Sequence, residues 1–300
     1  MIELSNDNLD HYFSLPNANT TELLLGKNPY DFVARKSNTL LVTIGDSWTW
    51  GADLTKENNG LHIDRNRDDA NRLTSVYGGI LSEQLQADFL NLGESGAGNW
   101  HIVRKLSELA DISHNLNYEK IIIISVFTET ARDFNSLDDV TIDYQDWLIN
   151  NIVDYNSYYG FLKFINQQIS NRIVASLNRL SSKCKVYFGT NFIDPIGYEA
   201  LHEHFLNHTW LEIICQCNNL KYVPNNCYVV FPWVIEKFES LFDFAPELDR
   251  TQWLTWVTEL TDFANMRAEL CKQDSNNFNQ LLHPTAKNHK HFAEYLIKQL

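Results

Sequence analysis

Two stretches of this chain read as strands with no polar face. One is Leu40-Leu41-Val42-Thr43-Ile44, and the other runs from Ile121 to Phe127 as IIIISVF. A sheet with one face in water alternates apolar and polar residues. Unbroken runs of this kind belong to strands covered on both sides, the usual condition of a parallel sheet between helices. Both runs therefore predict a sheet that needs two layers of helix around it.

The intervening segments supply helical spacing. From Arg72 to Gln86, apolar residues fall at Leu73, Val76, Tyr77, Ile80, Leu81 and Leu85, one face of a helix. Further helices are predicted over 100–110 and over 158–180, the latter with Phe161, Ile165, Ile169, Ile173 and Leu177 in line. Shorter strands are predicted over 88–92 and 185–188, and a last helix over 285–300. Strand and helix in alternation predict an α/β fold, a three-layer α/β/α sandwich of flavodoxin-like type built on a parallel sheet.

Residues 1–38 are broken by Pro16, Asn17, Asn19, Asn28 and Pro29 and read as a lead-in packing over the core. The main domain is predicted over 39–300. Within it, the stretch from about 194 to 277 is rich in Trp and Phe and carries a helical pattern over 251–272. It reads as a mostly helical insertion, or cap, ahead of the last helix.

A net charge of −14 argues against nucleic-acid backbone binding and against an anionic membrane as partner. It suits a soluble protein acting on neutral or cationic small-molecule substrates. Five cysteines, an odd number without zinc-finger spacing, predict free thiols in a reducing compartment. No basic-then-apolar leader pattern is visible, and no run is long enough to span a bilayer, so the expected location is cytoplasmic. Asp64, Asn66 and Asp68 fall short of a calcium loop, because Asp69 stands where the sharp turn needs glycine. The histidines His202, His204 and His208 are not spaced to share one helical face, and no metal or other cofactor is expected.

The first apolar run stops at Gly45-Asp46-Ser47. Ligands of parallel sheets bind beyond the carboxyl ends of the strands, where a serine after a glycine can offer its hydroxyl to a cleft. An ordinary Asp-Ser turn is the other reading of the same residues. The stretch resembles the first block of the SGNH hydrolases, the GDSL esterase family, with Trp48 where many members carry Leu. Glu94-Ser95-Gly96-Ala97 resembles the family's second block, and Leu282-His283-Pro284 its last, a histidine-proline pair ahead of the final helix.

The resemblance implies a serine hydrolase acting on a carboxylic ester, with a short acyl group or a carbohydrate O-acetyl as substrate. Ser47 would be the nucleophile and His283 the base. The backbone N–H groups of Ser47 and Gly96 would hold the oxyanion. The substrate cleft would take in Asp46, Trp48, Trp50, Asn99 and Arg132. His289 and His291, inside the last helix, are expected on its surface.

Two positions depart from the family pattern. Where it has an Asp three residues before the histidine, this chain has Gln280. Gln280, the more distant Asp274, or no third residue at all are the alternatives. Where the family places an Asn after its third strand, this chain has Thr128. The third oxyanion donor is then Thr128, Arg132 or Asn191, the last following a later strand. These departures favour the other reading, a catalytically weak or inactive module that binds glycan or serves a structural role.

Overall fold

The structure, a computed structural model, describes residues 32–52, 54, 70–128, 155–191, 198–218 and 283–300. Residues 1–31, most of the 194–277 stretch with its 251–272 helix, Arg132, Asp274 and Gln280 lie outside the described residues.

Its centre is a five-stranded sheet: β1 (Phe32–Val33), β2 (Thr39–Ile44), β3 (Asp88–Asn91), β4 (Lys120–Phe127) and β5 (Cys184–Thr190). The order is β1-β3-β2-β4-β5, with β3, β2, β4 and β5 parallel. The long apolar runs form the two central strands, with Leu40 beside Ile121 and Ile44 beside Ser125. They are buried because both faces are covered. The edge strand β1 is antiparallel, pairing Phe32 with Leu90, so the sheet is mixed. Part of the expected lead-in thus joins the core, in a strand too short to leave a pattern in the sequence.

Strand alternation divides the core into two layers. Leu40, Val42, Ile44, Ile121 and Ile123 face α4 (Asn99–Ile112) and α5 (Tyr155–Leu177). Leu41, Phe89, Ile122, Ile124 and Val126 face α3 (Tyr77–Gln84), α6 (Trp210–Cys217) and α7 (Ala286–Ile297). The chain steps from β2 to β3 through helices on one face. It then returns past β2 to β4 through α4 on the other. Between β2 and β4 the strand order reverses, and the space outside their carboxyl ends is where an open α/β sheet binds ligands.

The helix predicted over 72–86 is two helices, α2 (Ala70–Ser75) and α3, broken at Val76 with ψ at 150°. The chain folds so tightly there that a Cβ on Gly79 would lie 1.6 Å from the Leu73 carbonyl oxygen. Part of the expected insertion is also core. Helix α6 opens with a capping box, Thr209 accepting from the Glu212 N–H and Glu212 from the Thr209 N–H. Its Trp210 stacks on Phe292 at 4.4 Å between ring centroids. A short 3₁₀ helix, Glu199–His204, precedes it. No helix among the described residues is long and apolar enough to cross a membrane.

Candidate active site

The end of β2 runs directly into a single helical turn, α1 (Ser47–Trp50). Asp46 caps it, accepting from the Trp48 N–H at 3.0 Å, and Gly51 closes it in the left-handed region at φ 83°. Gly45 is required for close approach, since a Cβ there would lie 2.1 Å from Thr49 Oγ1. Ser47 is therefore the first residue of the turn, at the strand's carboxyl end.

Polar side chains hold this turn from beneath. Asn91, at the end of β3, donates Nδ2 to the carbonyls of Thr49 and Trp50 at 3.1 and 3.4 Å. Its Oδ1 accepts from the Gly93 N–H at 3.0 Å and the Thr43 hydroxyl at 3.2 Å. Arg72 donates to the Trp50 carbonyl at 2.6 Å and lies over the Trp50 ring. The Tyr77 hydroxyl donates to Thr49 Oγ1 at 3.4 Å. Burial is the main reason the Tyr77 hydroxyl is held well above its ordinary pKa, with the nearby Asp46 adding to it.

The segment after β3 comes alongside through the Leu92 N–H to the Thr43 carbonyl and the Glu94 N–H to the Gly45 carbonyl, at 2.7 and 2.9 Å. It carries Gly96, exposed, at φ 83° and with open space where a side chain would stand.

The last helix completes the site from the other end of the chain. His283 directly precedes the turn into α7, and its Nε2 lies 3.1 Å from Ser47 Oγ. With that nitrogen unprotonated, it is an acceptor for the serine proton. Helix α7 is anchored by His289, which corrects the surface placement expected for it. His289 is fully buried, accepting at Nδ1 from the Tyr77 N–H at 3.2 Å, with its ring stacked parallel to that of Tyr77. Burial first, and the neighbouring His283 second, push the pKa of His289 from 6.5 down to about 3. The ring is thus a neutral packing element at ordinary pH.

Of the other residues singled out in the sequence, Trp48 and Trp50 are turned into the core, not out toward solvent. Trp48 packs edge-on against Trp210 at 5.2 Å. Asn99 is buried and locked to Thr128: its Oδ1 accepts from the Thr128 N–H at 2.9 Å and its Nδ2 donates to the Thr128 carbonyl at 3.0 Å. That pair ties the start of α4 to the end of β4. Asn191 is buried after β5 and donates Nδ2 to Asp46 Oδ2 at 3.0 Å. Asn91 and Arg72 carried no sequence signal as site residues. Only the position of Asn91 at a strand end, before a glycine-rich turn, could have pointed to it. Among the described residues no cluster of His, Cys, Asp or Glu is placed to hold a metal ion.

Fold and site define an α/β protein with a serine–histidine pair outside the carboxyl ends of a mainly parallel sheet. Among solved structures, the chain is similar to a member of the lipolytic G-D-S-L family from Veillonella parvula, at 13% identity over 87% of this chain and 97% of that one, TM-score 0.35. It is similar to the inhibitor-bound aryl esterase of M. smegmatis at 12% identity over 87% and 97%, TM-score 0.35. A family two carbohydrate esterase from Clostridium thermocellum, in complex with cellohexaose, is similar at 10% identity over 87% and 63%, TM-score 0.33. No protein-family model and no curated protein matches the chain by sequence.

Proposed function

We propose that the chain is a serine hydrolase of carboxylic esters, with short acyl esters or O-acetyl groups on carbohydrate as its substrate class. The observation that carries this reading is the 3.1 Å approach of His283 Nε2 to Ser47 Oγ at the carboxyl end of β2. A serine hydroxyl is a poor nucleophile until a base takes its proton, and hydrogen-bond distance from an imidazole is the geometry that does so.

Ser47 Oγ attacks the acyl carbonyl as its proton passes to His283. The tetrahedral oxyanion is held by backbone N–H groups, for which those of Ser47 and Gly96 are the candidates. Collapse breaks the ester bond, and His283 returns the proton to the leaving alcohol. Water, deprotonated by the same imidazole, then attacks the acyl-enzyme; the bond to Ser47 Oγ breaks, the acid is released, and His283 returns the proton to Ser47 Oγ. Asp274, Gln280 or no third residue are the alternatives for holding His283. Asp274→Asn and Gln280→Ala, assayed side by side, assign that role to the variant with the larger loss, and no loss in either leaves a Ser47–His283 dyad.

The reading is tested with p-nitrophenyl acetate. Ser47→Ala should abolish turnover while the melting temperature stays nearly unchanged. Turnover that survives in this variant contradicts the proposal.

A further inference from the structure

The Ser47 turn is held at its far end by Asn91 and Arg72, and at its near end it is capped by Asp46. Asp46 is fully buried, and its two carboxyl oxygens have different tasks. Oδ1 accepts from the Trp48 N–H and caps the turn, while Oδ2 accepts from Asn191. A cap works only while its side chain stays in one orientation, so the second oxygen needs a partner that does not move. Asn191 is such a partner. Its N–H donates to the Phe127 carbonyl at 3.0 Å, its own carbonyl accepts from the Leu211 N–H at 2.9 Å, and it is fully buried.

We propose that Asn191 is a positioning residue for the nucleophile, acting through Asp46 from a strand two places away in the sheet. The proposal rests on the reading of Ser47 as nucleophile. It gives Asn191 a task other than donating to the oxyanion: one amide hydrogen is committed to Asp46, and the side chain is sealed from solvent. Orientation of an attacking group to within a fraction of an ångström is what such a supporting hydrogen bond provides.

The test exchanges the two residues. Asn191→Asp sets two acceptors face to face and should lower kcat on the order of 100-fold, the loss a small misplacement of a reacting group brings, with little change in KM. Asp46→Asn alone weakens the cap and should also lower kcat, but by less than Asn191→Asp. The Asn191 amide can turn over to present Oδ1, which has no hydrogen-bond partner among the described residues. The double variant D46N/N191D rebuilds the pair with its polarity reversed, and should recover turnover to the level of D46N. A double variant as slow as N191D overturns the proposal, and is what an oxyanion role for Asn191 would give. Should N191D fail to fold, Asn191→Ala serves in its place, and wild-type kcat in that variant overturns the proposal.

Wild-type turnover is measured first, which keeps the two readings separate. If the wild type hydrolyses no ester, the reading of Ser47 fails. The positioning claim is then judged from crystal structures of the variants. A Ser47–His283 contact lengthened in N191D and restored in D46N/N191D supports it, and a contact unchanged in N191D overturns it.

Discussion

His283 Nε2 and Ser47 Oγ stand 3.1 Å apart although 236 residues of chain separate them. Neither residue holds the other in place. Ser47 is carried by the end of a central strand and by the side chains that grip its turn. His283 is carried by α7, whose position is set by His289 on Tyr77 and by Phe292 on Trp210. Tyr77 belongs to both supports, since its hydroxyl reaches Thr49 in the nucleophile turn and its N–H reaches His289.

The burial of His289 predicts an acid-sensitive fold. Its pKa is about 3 in the folded protein against an ordinary 6.5. Between those values the unfolded chain binds a proton that the folded chain does not, so stability rises with pH across that window and falls on acidification. At its steepest the effect is about 1.4 kcal/mol per pH unit. His289→Gln keeps an acceptor for the Tyr77 N–H but does not titrate. Urea midpoints measured between pH 7 and pH 4 should fall less in this variant than in wild type. Equal declines contradict the account.

Two glycines beside the site should respond differently to Ala. A Cβ on Gly93 meets the Trp50 nitrogen at 2.6 Å and the Thr49 carbonyl carbon at 2.9 Å, so the nucleophile turn itself must shift. Gly93→Ala should cost about 1–3 kcal/mol by overpacking and should also lower turnover. Gly96 has open space around it but stands at φ 83°, so Gly96→Ala should cost about 1–2 kcal/mol from backbone strain alone. Denaturation midpoints for both and kcat for Gly93→Ala check this. A Gly93→Ala variant with unchanged kcat would show that the turn does not depend on that contact.

Asn91→Asp keeps the acceptor for Gly93 and Thr43 but removes the donor to the Thr49 and Trp50 carbonyls. Leaving buried carbonyls unpaired costs about 1–3 kcal/mol each, and here the replacement oxygen also faces them directly. Both the urea midpoint and kcat should fall, with kcat lowered on the order of 100-fold if the turn is displaced. A variant with normal stability and normal turnover would remove Asn91 from the support of Ser47.

Much of the frame was legible in the chain. The run from Leu40 to Ile44 and the run from Ile121 to Phe127 are strands close to their predicted bounds, because residues that must be apolar on both faces leave an unbroken signal. Ser47 and His283 stand out through the resemblance of their stretches to the first and last SGNH blocks, and the fold brings the two side chains together. The break at Val76 was hidden, since both halves keep their apolar spacing, although Gly79 leaves the room that the close approach to the Leu73 carbonyl needs. His289 resembled a surface residue of the last helix, because nothing local reveals a partner 212 residues earlier. Asn91 and Arg72 escaped for the same reason. Their role lies in which carbonyls they reach after folding.

The central claim is that Ser47 is activated by His283. The most direct measurement is mass spectrometry of the intact protein, then of its peptides, after treatment with a fluorophosphonate probe. The account predicts one covalent adduct per chain, on Ser47, formed slowly or not at all in His283→Ala. A wild-type protein that remains unlabelled, or that is labelled at another residue, would contradict it.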